Sequence, residues 1–403
     1  MSAKIIDHLK LYRLPWNLSD NAISWLEPTS MCNLACDGCY RENQKDGHKT
    51  FEQVKHELDI FQQKRNSGCI SIAGGDPLLH PQIIEIVRDI KSRGLKPIIN
   101  TNGHALNKDF LIKLKNAGVF GFTFHVDSKQ GRAGNWKGKN EIELNELRYQ
   151  YAKMLADVGG IACSFNSTVY EDTMQYIPGM IDWAHKNIDI VNTMVFIAFR
   201  YIVPTMPFDW YAGGQKVDWQ TIAYHTEKNR RVDILSTDVL AKVQEHFPDF
   251  TPCAYLNGTE KVDSFKWLLT ERVGTKKKIY GYPGPKFIEL MMATYHFSTG
   301  KYLSYASTTN SKMGRMALLL LWPFDRGIRK AVMKMLKNPL RLLKRTYLQS
   351  ILFIQPVDFM QDGRQSMCDG CPDITVWNDN LVWSCRLEEV KSFGSFLRSV
   401  KKK

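Results

Sequence analysis

Cysteine is scarce in this chain, nine in 403 residues, and none occurs between Cys253 and Cys368. Internal repeats and low-complexity linkers are missing, which excludes a solenoid and favours lobes packed together over lobes on a tether. The most apolar run, Met316-Ala317-Leu318-Leu319-Leu320-Leu321-Trp322-Pro323-Phe324, falls well short of the roughly 20 residues a bilayer-spanning helix needs. No RNA-binding or helix-turn-helix pattern is present, and aromatics are not interleaved with the positive charges, so nucleic acid is not expected as a partner. A signal peptide ahead of the first cysteines is lacking too. That weighs against a disulfide framework and sets the cytoplasm as the expected location.

The few cysteines are clustered. Cys32, Cys36 and Cys39 fall within Cys32-Asn33-Leu34-Ala35-Cys36-Asp37-Gly38-Cys39-Tyr40, three soft ligands on one short loop. Iron-sulfur clusters normally take a Cys on each iron, so three with no fourth nearby leave one iron open for other chemistry. Structural zinc is the weaker reading, because it usually wants four closed ligands and no His lies close enough in sequence to complete the set.

Cys-x3-Cys-x2-Cys followed by the aromatic Tyr40 resembles the signature of the radical S-adenosylmethionine (SAM) superfamily. The resemblance implies a 4Fe-4S cluster on Cys32, Cys36 and Cys39, with the amino and carboxylate groups of SAM on the fourth iron and Tyr40 in the cofactor site. Reductive cleavage of SAM would then release a 5′-deoxyadenosyl radical that removes hydrogen from substrate. Such a cofactor carries the hard chemistry and leaves the protein to position it. Flavodoxin or ferredoxin is the expected electron donor.

Downstream periodicity suits that scaffold. Strands are expected at 23–26, 69–73, 96–99, 119–126, 161–169 and 191–199, alternating with helices at 50–64, 81–93, 108–117, 141–158 and 172–186. Alternation at this pitch argues for a parallel sheet with right-handed crossovers. The fold class expected is α/β, a partial (βα)6 TIM barrel over residues 1–205 including an N-terminal arm. A basic, α-rich lobe over 206–360 and an auxiliary cluster region over 361–403 would follow.

Further motifs fall at the strand ends, where barrel sites lie. Gly74-Gly75-Asp76-Pro77 resembles the family's Gly-Gly-Glu-Pro, whose backbone binds the methionine amino group; Asp76 stands where that motif has Glu. Thr101-Asn102-Gly103 matches a common family turn. His125 and Asp127 close the fourth strand, where related enzymes place polar groups near the SAM ribose, and Asn166 and Arg200 occupy similar positions. Arg200 is expected to pair with the SAM carboxylate, since a guanidinium matches carboxylate geometry.

Cys368-Asp369-Gly370-Cys371-Pro372 and Cys385 form a second group. They resemble the C-terminal auxiliary regions of many radical SAM enzymes, implying a second 4Fe-4S cluster over the zinc alternative, with Cys253 as a candidate fourth ligand. Cys69 and Cys163 read as buried core thiols.

The chain's net charge of +13 is uneven, with five Lys and five Arg against Asp325 alone between Ser311 and Arg345. Within it, Ile328, Ala331, Val332, Met335 and Leu336 line one helical face, with Arg326, Arg329, Lys330, Lys334 and Lys337 on the other. A basic amphipathic helix of this kind suggests a protein lying peripherally on an anionic membrane surface, here the inner face. Packing of the same face on the barrel is the competing reading. The expected function is hydrogen abstraction from a hydrophobic substrate, a lipid or isoprenoid. The alternatives are a peptide-modifying or molybdenum-cofactor-type maturase and a non-enzymatic electron-transfer or redox-sensing protein.

Overall fold

A computed structural model describes residues 6–304, 314–337 and 345–402. The parts of the basic segment at 311–313 and 338–344 lie outside the described residues. Six parallel strands follow one another in space as in sequence: β1 (Ile23–Thr29), β2 (Cys69–Gly74), β3 (Lys96–Thr101), β4 (Gly121–His125), β5 (Ala162–Val169) and β6 (Thr193–Ala198). Between them run α1 (Phe51–Lys64), α2 (Ile83–Ser92), α3 (Lys108–Ala117), α4 (Asn145–Val158) and α5 (Ile177–Lys186). Every expected element of this half is present, with ends displaced by up to five residues.

Local chemistry explains those ends. Thr50 caps α1 and Gln53 returns the favour in a capping box, so two orphan amides are satisfied at once. Asn107 caps α3, and Gly118 ends it in the left-handed conformation. Ile72, Ile99, Phe122, Phe124, Phe165, Met194 and Phe196 turn one face of the sheet toward the helices and form the main core.

The remainder is less helical than its sequence suggests. Strands β7 (Ala254–Leu256), β8 (Trp267–Thr275), β9 (Lys278–Gly281) and β10 (Tyr347–Ile354) all join the same eleven-stranded sheet. β10 lies parallel to β6, and β8 runs antiparallel to β10. Four strands from 254–354 therefore extend the barrel wall, so the sheet continues past the boundary expected near 205. The reason lies in β10, Tyr-Leu-Gln-Ser-Ile-Leu-Phe-Ile, whose alternating apolar and β-branched residues suit a pleated surface; the adjacent helical pattern is the more conspicuous signal.

The apolar face of the Arg326–Leu336 helix corrects the membrane expectation. Ile328, Ala331, Val332 and Met335 are buried in a second core with Val273 and Tyr280, leaving of that face only Leu336 exposed. Core packing is thus the role of that face. Leu319, Leu320, Phe324 and Met333 do remain exposed beside it. Among the described residues, no helix is long and apolar enough to cross a membrane.

The C-terminal region is built from short pieces. Strands Ile374–Trp377 and Asn380–Trp383 form a hairpin, closed by Asn378 and Asp379, both at positive φ, as a two-residue turn requires. The second strand delivers Ser384 and Cys385 to the barrel mouth.

Candidate functional site

The loop carrying the first cysteines leaves the C-terminal end of β1 and is gripped from several sides. The Asp37 amide donates to the Lys129 carbonyl at 2.8 Å, the Tyr201 hydroxyl donates to the Cys39 carbonyl at 2.6 Å, and the Tyr170 hydroxyl donates to the Asp37 carbonyl. Arg230 pairs with Asp37 at 2.7 Å. Tyr170, Phe199 and Tyr201 stack in sequence, neighbouring ring centroids 4.9 Å apart, to form an aromatic bed beside the loop.

The two glycines after β2 make close packing possible. A Cβ on Gly74, whose φ is +103°, would overlap the Thr29 carbonyl oxygen, and one on Gly75 would overlap that of Met31. The backbone just before Cys32 occupies the space a side chain would fill, and the Gly75 and Asp76 amides donate to Thr29 and Met31 at 2.8 Å. Glycine serves here to seat the cysteine loop against the next strand.

Asp76 is fully buried and turned onto the neighbouring turn. It accepts from the Thr101 hydroxyl at 2.8 Å and from the Asn102 amide at 2.9 Å. Asn102 in turn stands 3.7 Å from Cys32 Sγ and donates to Asn33 Oδ1 at 2.7 Å. The Gly-Gly turn, the Thr-Asn-Gly turn and the cysteine loop thus form one assembly.

His125 Nε2 lies 2.7 Å from Asp127 Oδ2 and 3.3 Å from the Thr168 hydroxyl. Burial raises the Asp127 carboxyl, but His125 together with the Lys129 and Thr168 amides outweighs it and holds Asp127 below the usual carboxylate range. Asn166 is beside His125 in the register, and its Oδ1, like the Ser164 hydroxyl, is buried without a hydrogen-bond partner among the described residues. Tyr40 flanks the loop, its ring 4.7 Å from the Arg41 guanidinium.

Arg200 does not join this group. Its guanidinium takes Asp358 at 2.9 Å, the Ile234 carbonyl at 2.7 Å and the Val357 carbonyl at 3.1 Å. With its donors already matched, the expected pairing to a SAM carboxylate gives way to an internal ion pair.

Cys368, Cys371 and Cys385 lie in one neighbourhood, without closing to metal-binding distance among the described residues. The Cys368 and Cys371 thiols are near enough to shift each other's ionisation, Cys368 down and Cys371 up, and Cys385 bears electrostatically on Cys371. Burial pushes Cys385 up to about 12 and the neighbouring Asp373 up to about 7. Cys253 is not among them: Cys368 bridges to Gly258, and five residues of extended chain at ~3.3 Å each separate Gly258 from Cys253. Its charged neighbours are Glu271 and Asp325.

Sequence reasoning missed the residues that support these groups. Arg132, buried, donates to the Asn102 carbonyl at 2.7 Å and the His125 carbonyl at 3.1 Å, tying two strand ends together. Gln130 lies near the Cys36 thiol and favours its ionised form. Arg65 donates to the Cys371 carbonyl at 2.7 Å. None belongs to a motif, and each acts on a partner distant in sequence.

The donor set fits a thiolate-bound cluster and its ligand. Cys36 feels both Cys32 and Cys39, although among the described residues no three His, Cys, Asp or Glu side chains are gathered closely enough to hold a metal as they stand. Burial raises all three thiols above their ordinary value, so loading would release their protons. The unpartnered Asn166 and Ser164 oxygens offer polar contacts inside the barrel.

The face of the sheet away from the helices changes character across the barrel. One row reads His125, Asn166, Val195, Leu352, Leu269, and the next Thr168, Ile197, Ile354, Trp267. Polar groups on β4 and β5 give way to apolar ones on β6, β10 and β8. Val195, Ile197, Leu352 and Ile354 are all partly exposed, and Trp267 lies beside the Cys368 thiol. An apolar wall therefore runs from the first cysteine site toward the second.

Part of this chain is similar to known proteins. Residues 26–184 match the model of the radical SAM superfamily. A tungsten-containing aldehyde ferredoxin oxidoreductase cofactor-modifying protein of Pyrococcus furiosus is 33% identical over 26% of this chain and 30% of its own length. An AdoMet-dependent heme synthase of Methanosarcina barkeri is 26% identical over 53% of this chain and 61% of the relative. Streptococcus suis SuiB bound to S-adenosylmethionine superposes with a TM-score of 0.41 at 14% identity, covering 58% of this chain and 48% of that one. The chain spans between 30% and 61% of the length of the curated relatives it matches here. Residues 26–184, the stretch that matches the radical SAM superfamily, hold the cysteine loop and the turns assembled around it.

Proposed function

We propose that this protein binds a 4Fe-4S cluster at Cys32, Cys36 and Cys39, with SAM beside it, and abstracts hydrogen from a hydrophobic substrate of lipid or isoprenoid character. The cluster with SAM supplies reductive sulfonium cleavage and hydrogen abstraction. Gly75, Asp76 and the Thr101-Asn102 turn fix the cysteine loop, while His125, Asp127 and Asn166 offer polar contacts on one side of the barrel. The observation that carries the substrate class is the apolar wall of Val195, Ile197, Leu352 and Ile354 beside them, since a site lined this way binds by excluding water from apolar surface. Cys368, Cys371 and Cys385 hold a second metal centre at the far end of that wall, an iron-sulfur cluster in preference to zinc. A flavodoxin or ferredoxin serves as reductant, and the exposed Leu319, Leu320, Phe324 and Met333 with their flanking cations bring the protein to an anionic membrane.

The test is anaerobic reconstitution with dithionite and SAM, with and without a detergent-dispersed isoprenoid glycerolipid, following 5′-deoxyadenosine. Formation of 5′-deoxyadenosine that rises with lipid and vanishes in Cys32→Ala supports the reading, whereas none in the wild type removes it. Stimulation by a peptide or a nucleotide and not by lipid would favour the maturase alternative, to which the cofactor-modifying relative lends weight. A purely electron-transferring protein would take up the cluster and form no 5′-deoxyadenosine in the same assay.

A further inference from the structure

Arg41 follows the first cysteine group directly, yet its side chain reaches the second. Its Nε donates to Glu27 Oε2 at 2.8 Å, and Nη2 donates to the Ser384 carbonyl at 2.6 Å and to the Ser384 hydroxyl at 2.9 Å. Ser384 precedes Cys385, and its hydroxyl donates to Glu27 Oε1 at 2.8 Å. Glu27 projects from β1, the strand that feeds the cysteine loop. One guanidinium thus ties the root of the first loop to the turn bearing the second.

The pair is deeply buried, with side chains 4% and 6% exposed for Arg41 and Glu27. Desolvating such a pair costs about as much as its attraction returns, so stability alone is a weak reason for it. The last donor makes the point sharper: Nη1 is buried and donates no hydrogen bond among the described residues, with the Glu388 carboxylate 3.8 Å away. Glu388 is itself taken by Lys391 at 3.0 Å. The Arg41 charge bears on Cys39 and on Cys385 alike. Three thiolates around a metal carry negative charge, and sulfur accepts hydrogen bonds, so a loaded centre would supply what Nη1 lacks.

We infer that Arg41 is a positioning residue of both cysteine sites, a shared counter-charge and donor that supports metal binding at each. The inference rests on the reading that both triads take metal. Two backgrounds separate the sites: Cys32→Ala/Cys36→Ala/Cys39→Ala leaves only the second triad, and Cys368→Ala/Cys371→Ala/Cys385→Ala only the first. In each, Glu27→Gln/Arg41→Gln exchanges the buried ion pair for a neutral pair without stranding a lone carboxylate. Iron and zinc per chain are measured after anaerobic reconstitution and desalting, alongside the melting temperature of the metal-free protein.

The expected result is a several-fold loss of metal in both backgrounds at an unchanged metal-free melting temperature, with Arg41→Lys, which keeps the charge but not the fork, in between. Parental metal content in either background overturns the sharing. A parent lacking the first triad that holds no metal at all overturns the second centre and this inference with it, while the first-site reading stands on the other background. Should the double exchange not fold, Arg41→Lys decides: at least twofold metal loss in both backgrounds supports the inference, and parental retention overturns it.

Discussion

Thr101 Oγ1 lies 2.8 Å from both carboxylate oxygens of Asp76, while the Asn102 and Leu78 amides donate to the same carboxylate at 2.9 and 3.0 Å. One buried side chain therefore joins the turn after β2 to the turn after β3. Asp76→Ala would leave the hydroxyl and two amides unmatched, at ~1–3 kcal/mol for each buried group. A stability loss of roughly 3 kcal/mol or more is expected in urea denaturation. Asp76→Glu restores the residue usual in the family's motif, yet here it should cost about 1–3 kcal/mol, because an extra methylene must be fitted between two packed turns.

Gly75→Ala should act on the cysteine loop and leave the rest of the barrel in place. The new Cβ would overlap the Met31 carbonyl, one residue before Cys32, and a backbone atom cannot swing aside as a side chain can. The expected outcome is a far-UV circular dichroism spectrum like that of the wild type with iron content after reconstitution reduced at least severalfold. Full iron loading by the variant would show that the loop tolerates displacement.

The barrel was legible because its strands and helices each bury a periodic face, and Lys108–Ala117 even coincides with the pattern at both ends. The first cysteine group stood out because its spacing is local, and it falls within the stretch that matches the superfamily. Asp76 was legible as a motif position but not as an internal acceptor, since its partners lie 25 and 26 residues away. Arg41 and Arg132 escaped notice for the same reason: nothing near them in sequence marks the Ser384 and Asn102 carbonyls as their partners. The Arg326–Leu336 helix was read correctly as amphipathic, but periodicity cannot say whether an apolar face meets protein or lipid.

Glu271 should give the folded protein a pH dependence of its own. It lies on β8 opposite Ser350, whose hydroxyl donates to it at 2.5 Å, and burial pushes its carboxyl up to about 7. A raised acid is protonated in the folded chain where the unfolded chain, with Glu near about 4.3, has already lost its proton. Folding then takes up a proton between these values, so this contribution to stability falls as pH rises from about 4.3 to 7 and levels off above. In urea denaturation against pH, Glu271→Gln should be more stable than wild type at pH 8, with the difference shrinking toward pH 5. Parallel curves would show that Glu271 titrates normally.

The exposed apolar residues around the last helices make a membrane prediction that differs from the one the helix pattern alone suggests. Since Ile328, Ala331, Val332 and Met335 are committed to the core, the proposed membrane contact would fall to Leu320, at 71% exposed, and Phe324, at 66%. Arg326, Arg329 and Lys330 are also exposed on this side of the chain. Each cation near an anionic surface contributes about 1 kcal/mol, so Arg329→Glu/Lys330→Glu/Lys334→Glu should lower co-sedimentation with phosphatidylserine vesicles by at least tenfold. Leu320→Ser/Phe324→Ser should weaken binding further at high salt, where the charge contribution is screened. Undiminished pelleting by the charge-reversed protein would mean that the patch is turned to some other use.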